Sequence, residues 1–296
     1  MLLMPGCEQP LSIQFIHRKK LPFPSASAIE FYQNRLFIFG DDAPYAIVTD
    51  TAFQVLDSIA YLPGTARIAK YSKPDVEAVM LDSMGGNVVV EAWSSGSAPN
   101  RNLRLRIDAH TNRLLHIDSF AYKPFVERTK AVGDLNMEGL VRLPQGLLAS
   151  NRAHAAQPKT WFLFWQADAF LSQPQVKEVS LDMGAGAGVS ALAYHPKKDR
   201  LFFVVSEEAT ASTVVDGAIG ESWLCWIDAI SAKLQTATWA PTKKIKLSDV
   251  DPNLHLQKVE GITLQQTGDN LNIYLCADND DGFSSFFQLR WKGIEK

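Results

Sequence analysis

One short pattern recurs five times along the chain, at intervals of roughly 45 to 70 residues. Each copy opens with a brief apolar strand, in four cases with a glutamate inside it: Ala28–Phe31, Val76–Val79, Met137–Leu140, Val189–Leu192 and Val259–Ile262. A second apolar strand follows and ends in small or charged residues, as in Leu36–Asp42, Val88–Ser95, Leu147–Arg152, Leu201–Glu208 and Ile273–Asp281. Third strands rich in aromatic and β-branched residues come next, among them Trp161–Trp165 and Trp223–Ile227. A more polar fourth strand completes four of the copies. Such repeats cannot bury their apolar faces singly and do so by stacking around an axis. The pattern therefore predicts an all-β fold, a five-bladed β-propeller, with six blades as the alternative if a long connection hides another sheet.

The fifth copy reaches Lys296 without a fourth strand, while Leu11–His17 stands alone before the first copy. An N-terminal strand that completes the last blade would close the ring and remove its exposed sheet edges. The expected organisation is a flexible leader over 1–10 and one propeller domain over 11–296. Helical periodicity is weak throughout.

A chain of 296 residues with 46% apolar content can fill a large core. Lys and Arg number 29 against 32 Asp and Glu, which leaves no basic excess to attract nucleic acid. No apolar run reaches the length of a membrane span. The expected partner is a small-molecule ligand in the central channel of a monomer. Cys225 and Cys276 sit in apolar strands as buried thiols. Cys7 ends a Met1–Cys7 segment that resembles the last part of a bacterial lipoprotein signal. A cytoplasmic protein is expected, or an exported lipoprotein if the true start lies upstream and Cys7 is lipidated.

First strands of propeller blades line the channel, so Glu30, Glu77, Glu138 and Glu260 are expected to form an acidic ring, with Ser190 where the fourth copy lacks an acid. Converging carboxylates raise one another's pKa unless a cation or donors compensate. Calcium, Arg152 or retained protons are the three available responses. Second strands end at the same mouth and bring Asp41, Asp42, Asn151, Glu207, Asp278 and Asp280. Asp278–Gly282 has the oxygen donors of a calcium loop but Gln288 where the closing glutamate would stand, which rejects an EF-hand and leaves an Asp/Asn/Gly turn as the plain reading. Ser94–Ser97 with Arg101 reads either as a solvated turn or as a nest of donors for an anionic ligand, with Ser95 and Arg101 as the contacts. Loops Ser94–Asn102 and Ala209–Glu221 stand where they could cover the pocket or simply be mobile. His154 follows a second strand and is the one histidine placed to act as an acid or base.

Asn136-Met137-Glu138-Gly139-Leu140 and Lys258-Val259-Glu260-Gly261-Ile262 are the sharpest motifs, because glycine after an inner-strand acid permits close backbone approach. With the strand ends Ser150–Arg152 and Asp278–Asp280, they resemble the uncharacterised bacterial propellers related to the phytase-like esterase group. They also resemble the calcium-dependent lactonase and strictosidine-synthase-like propellers. The resemblance implies a calcium ion at the channel mouth, held by Glu138, Glu260, Asp278 and Asn151, and Asp280 is expected as a further metal ligand. Two functions stay open. One is a propeller that binds a small ligand or a cation such as calcium, or meets a protein or glycan at its rim. The other is a metal-assisted hydrolase of a phosphoester, lactone or glycoside, with Glu138, Glu260 and Arg152 as catalytic groups and Glu30, Glu77, Asp41, Asp42, Asn151, Glu207, Ser95 and Arg101 around the ligand.

Overall fold

The computed structural model describes residues 13–153, 159–166, 173–181, 186–208 and 217–294. The leader with Cys7, His154 and most of the 209–221 loop lie outside the described residues. The chain begins with β1 (Ile13–Leu21) and then builds blade 1 from β2 (Ala26–Tyr32), β3 (Arg35–Gly40), β4 (Tyr45–Asp50) and β5 (Val55–Ala60). Blade 2 is β6 (Val76–Met84), β7 (Asn87–Ser94), β8 (Leu103–Asp108) and β9 (Leu114–Ser119). A short helix, α1 (Tyr122–Thr129), leads to blade 3: β10 (Met137–Leu143), β11 (Gly146–Asn151), β12 (Thr160–Gln166) and β13 (Gln175–Val179). Blade 4 is β14 (Ala187–His195), β15 (Arg200–Glu208) and β16 (Ile219–Ile227). The chain then crosses to blade 3, where β17 (Thr238–Trp239) pairs parallel with β13, before β18 (Lys243–Lys246) returns to finish blade 4. Blade 5 is β19 (Val259–Thr267), β20 (Asn270–Asp278) and β21 (Ser284–Trp291), with β1 as its outer strand.

Five sheets in a ring make this a five-bladed propeller, and the six-bladed alternative is set aside because the described residues form no sixth sheet. Closure is as expected: β1 pairs antiparallel with β21 from Ile13↔Trp291 to Leu21↔Ser284. Two local features escaped the sequence. At eight residues, α1 shows barely two turns, too few for its period to register, and it buries Phe125 between blades 2 and 3. The β17 crossing buries Trp239 against Phe162 of blade 3.

The core is five wedges between neighbouring blades. Successive side chains of a strand point to opposite faces. Accordingly Phe203 and Val205 of β15 pack toward blade 3, while Phe202 and Val204 pack toward blade 5. In β3, Phe37 and Phe39 face blade 2, and Leu36 and Ile38 face blade 5. Middle strands are thus apolar on both faces, which is why their sequences run continuously apolar instead of alternating. Each fully buried Phe or Leu contributes about 1.5–3 kcal/mol, so the wedges outweigh the buried charges at the axis. No helix among the described residues is long and apolar enough to cross a membrane.

Candidate functional site

Every inner strand carries one β-bulge at the same place, so that the pairing skips Ser27, Glu77, Glu138, Ser190 and Glu260. A bulge leaves its extra residue unpaired and re-aims the side chain. These residues form the fivefold ring at the mouth, where first strands begin and second strands end. Glu30 is not among them. It lies three residues beyond Ser27, pairs in register with Phe37, and accepts a hydrogen bond from Thr263 (2.8 Å) toward the far end of the channel. Sequence alignment matched acid to acid, whereas the bulge sets the phase. The two serines fill the missing acidic positions by tying blades together: Ser27 Oγ donates to the Val76 carbonyl (2.5 Å) and Ser190 Oγ to the Val259 carbonyl (2.7 Å).

Two residues past each bulge stand Ile29, Val79, Leu140, Leu192 and Ile262, which close the axis below the ring. The space left there is about 10 Å³, room for one water at most. Five aliphatic side chains thus leave no room for a small molecule at this level of the channel. Close approach also explains the glycines. A Cβ on Gly139 would lie 2.8 Å from the Leu192 nitrogen, and one on Gly261 would collide with Cys276 Sγ.

Arg152 is buried at the end of β11 and gathers three carboxylates: Glu208 at 3.2 Å, Glu138 at 3.4 Å and Glu260 at 3.7 Å. Gly188 makes room for it, since a Cβ there would meet Arg152 Cγ at 2.5 Å. Lys258 Nζ adds contacts to Glu260 (3.0 Å) and Glu208 (3.5 Å). Burial works against both cations, but the surrounding carboxylates prevail and hold them charged. Burial lifts the Glu260 carboxyl to about 8 and also raises Glu138, with Arg152 and Lys258 pulling both back. Glu207 is not part of this group. A register shift between Ser206 and Glu208 aims Glu208 inward, and Glu207 instead accepts from the Glu221 backbone N–H.

A second network holds Asp75, the residue before β6. Its carboxylate accepts hydrogen bonds from Ser95 Oγ and from Arg101 (2.9 Å), and Lys73 lies 2.9 Å away. Lys73 also binds Asp41, while Arg67 binds Asp42. The Ser95–Arg101 donors thus do receive an anion, but it is the protein's own Asp75. Desolvation raises Asp41 to about 7 against the pull of Lys73.

Glu77 stands between the two networks, 8% exposed and without a hydrogen bond or ion pair among the described residues. Burial, and then the charges of Glu138, Asp75, Asp41 and Glu260, push its carboxyl well above the ordinary range. Carboxylate oxygens of Asp41, Asp75 and Glu77 all lie within 4.8 Å of one another. That spacing suits a single calcium ion with oxygens at about 2.4 Å. The set implied by resemblance is arranged differently. Arg152 and Lys258 already hold Glu138 and Glu260, and Asn151 uses its amide on the Asn136 N–H and the Asp134 carbonyl. Asp278 accepts from the Asp280 N–H (3.0 Å), and Asp280 itself is exposed in the turn. Lys73, Asp75, Glu208 and Lys258 were missed by sequence reasoning. Asp75 and Lys258 share one signal, a polar residue two positions before the bulge, also present at Asn136.

A family of unknown function matches residues 22–291 of the chain. No curated protein matches it in sequence. Among solved structures, Myxococcus xanthus glutaminyl cyclase is 13% identical with a TM-score of 0.49, covering 95% of this chain and 96% of that one. Kuenenia stuttgartiensis hydrazine synthase is 11% identical with a TM-score of 0.37 over 94% of this chain and 60% of that one. The tail fibre of Staphylococcus aureus phage P68 is 10% identical with a TM-score of 0.47 over 96% of this chain and 53% of that one. The chain thus spans less than two thirds of the length of these last two.

Proposed function

The chain belongs to DUF6929, a family of unknown function, and from its own residues we propose that it is a binding propeller whose mouth takes a divalent cation, calcium foremost, on Asp41, Asp75 and Glu77. Unpartnered Glu77 carries the reading. A buried carboxyl beside four others is costly unless a cation joins it, and among the described residues no basic side chain lies within ion-pair distance of it. Lys73 on Asp41 and Asp75 acts as the internal stand-in that keeps the pair compensated when no ion is bound. Calcium and the Lys73 ammonium would compete for the same oxygens.

Thermal unfolding with calcium, and then with chelator, tests this. An ion that binds only the folded state stabilises it by about 2.7 kcal/mol at a hundred times its Kd. A rise is expected for the native protein, a larger one for Lys73→Met, and none for Glu77→Gln. Equal, calcium-independent melting of the native protein and Lys73→Met would remove the reading.

A hydrolytic function draws support from the same carboxyl, which burial and neighbouring acids raise well above the ordinary range within the field of the buried Arg152 guanidinium. Such a pair can donate a proton and stabilise developing negative charge. Turnover of phosphoester, lactone or glycoside substrates that disappears in Glu77→Gln, with the fold retained, would favour it over simple binding.

A further inference from the structure

The far end of the channel opens into a bowl of about 720 Å³, on the side of the aliphatic plug away from the acidic mouth. All five inner strands contribute to its wall. Three residues past each bulge stand Glu30, Met80, Val141, Ala193 and Thr263, so at this level one acid breaks an otherwise uncharged ring. Phe31, Leu81, Tyr194 and Leu264 continue the wall as an aromatic and aliphatic surface. The volume lies within the range of roughly 300–1,000 Å³ typical of small-molecule sites, which join an apolar lining to a few placed polar groups.

Glu30 is the only acid among the described residues that line the bowl. Its Oε1 accepts from Thr263 Oγ1 on the neighbouring β19 and from the N–H of Phe31, the next residue of its own strand. That holds the carboxyl in one orientation. No basic side chain among the described residues pairs with it. Arg142, the one base in the wall, bonds to Asp82 at 2.5 Å. An oriented, uncompensated carboxyl at the base of an apolar bowl favours a ligand that brings one positive charge on an apolar body.

We propose that this bowl is a second ligand site, for a small primary or secondary amine whose apolar body lies against Phe31, Leu81 and Leu264 while its ammonium pairs with Glu30. Burial holds the Glu30 carboxyl up at about 7, partly offset by its hydrogen bonds, and a bound cation would relieve that burial cost. The site is independent of the cation reading at the mouth, because the plug separates the two.

Titration calorimetry with 2-phenylethylamine, 2-phenylethanol and 3-phenylpropionate decides it. The amine should bind, the neutral alcohol should bind about tenfold more weakly or worse, and the anion should not bind measurably. Glu30→Gln should weaken the amine about tenfold, while Glu77→Gln should leave its affinity unchanged and so separates the bowl from the acidic mouth. If Glu30→Gln fails to fold, Ala193→Met, which narrows the bowl without touching the carboxyl, should abolish binding. No amine binding to the native protein, equal binding of amine and anion, or loss in Glu77→Gln with retention in Glu30→Gln would each overturn the proposal.

Discussion

At Glu77, burial and four neighbouring acids act on one carboxyl that makes no hydrogen bond or ion pair among the described residues. The fold therefore disfavours its ionised form relative to the unfolded chain. Glu260 at about 8, Glu30 and Asp41 at about 7, and Glu138 are raised in the same direction. Groups with raised folded values contribute fully below their unfolded pKa and lose that contribution as pH rises through the folded one. The melting temperature in metal-free buffer should thus fall from about pH 5.5 to about pH 8.5. Glu91 acts in the opposite sense. Burial opposes its charge, but Arg104, Arg106 and Trp93 hold its carboxyl low, so its contribution is lost only in acid below this window. Glu77→Gln should flatten the slope and stabilise the metal-free protein by about 1–2 kcal/mol at about pH 8. A melting temperature that climbs with pH through the window would contradict the placement of these acids. Arg152→Met removes the shared partner of Glu138, Glu208 and Glu260 and should cost about 3–5 kcal/mol in denaturant unfolding, with part of the loss recovered at lower pH.

The decisive element is the bulged inner strand. A single extra residue in each of β2, β6, β10, β14 and β19 turns one side chain toward the mouth and lets the residue two positions beyond it reach the plug. Glycine after the bulge in β10 and β19 lets neighbouring blades meet. Gly139→Ala would place a methyl 2.8 Å from the Leu192 backbone nitrogen, which cannot swing aside as a flexible side chain would. It should destabilise by about 1–3 kcal/mol in chemical denaturation, and an unchanged midpoint would show that blades 3 and 4 sit farther apart than described. Glycine after an acid was legible as a sign of close approach. The bulge was not, because an inserted residue leaves no mark in a short apolar run, and this is why Glu30 was grouped with the mouth and Ser27 was overlooked. Glu207 and Glu208 show the same limit at the end of β15, where one residue of register decides which acid meets Arg152.

Across the whole molecule, ring closure through β1 joins the two ends of the described chain in one sheet. Ala26 N–H to Ser284 Oγ (2.9 Å) and Ser284 Oγ to the Phe23 carbonyl (2.7 Å) add to that seam. Removing residues through Leu21 should leave the β21 edge open to pairing between molecules. Size-exclusion chromatography should then show association and the melt should lose cooperativity, with recovery when a peptide spanning 13–21 is added. A truncated protein that stays monomeric and melts as before would show that the seam is dispensable.

The sequence by itself determined the blade count, the order of strands and the N-terminal closure, because period-two strands and turn residues are local signals repeated along the chain. It also marked Glu77, Glu138, Glu260 and Arg152 as residues of one mouth. Only the tertiary structure decided which charges meet. Pairings such as Arg152 with Glu208, or Asp75 with Arg101, join residues brought together by register, bulge and blade packing. The aliphatic plug and the bowl beyond it likewise arise from five strands arriving at one axis, a convergence that no single segment encodes.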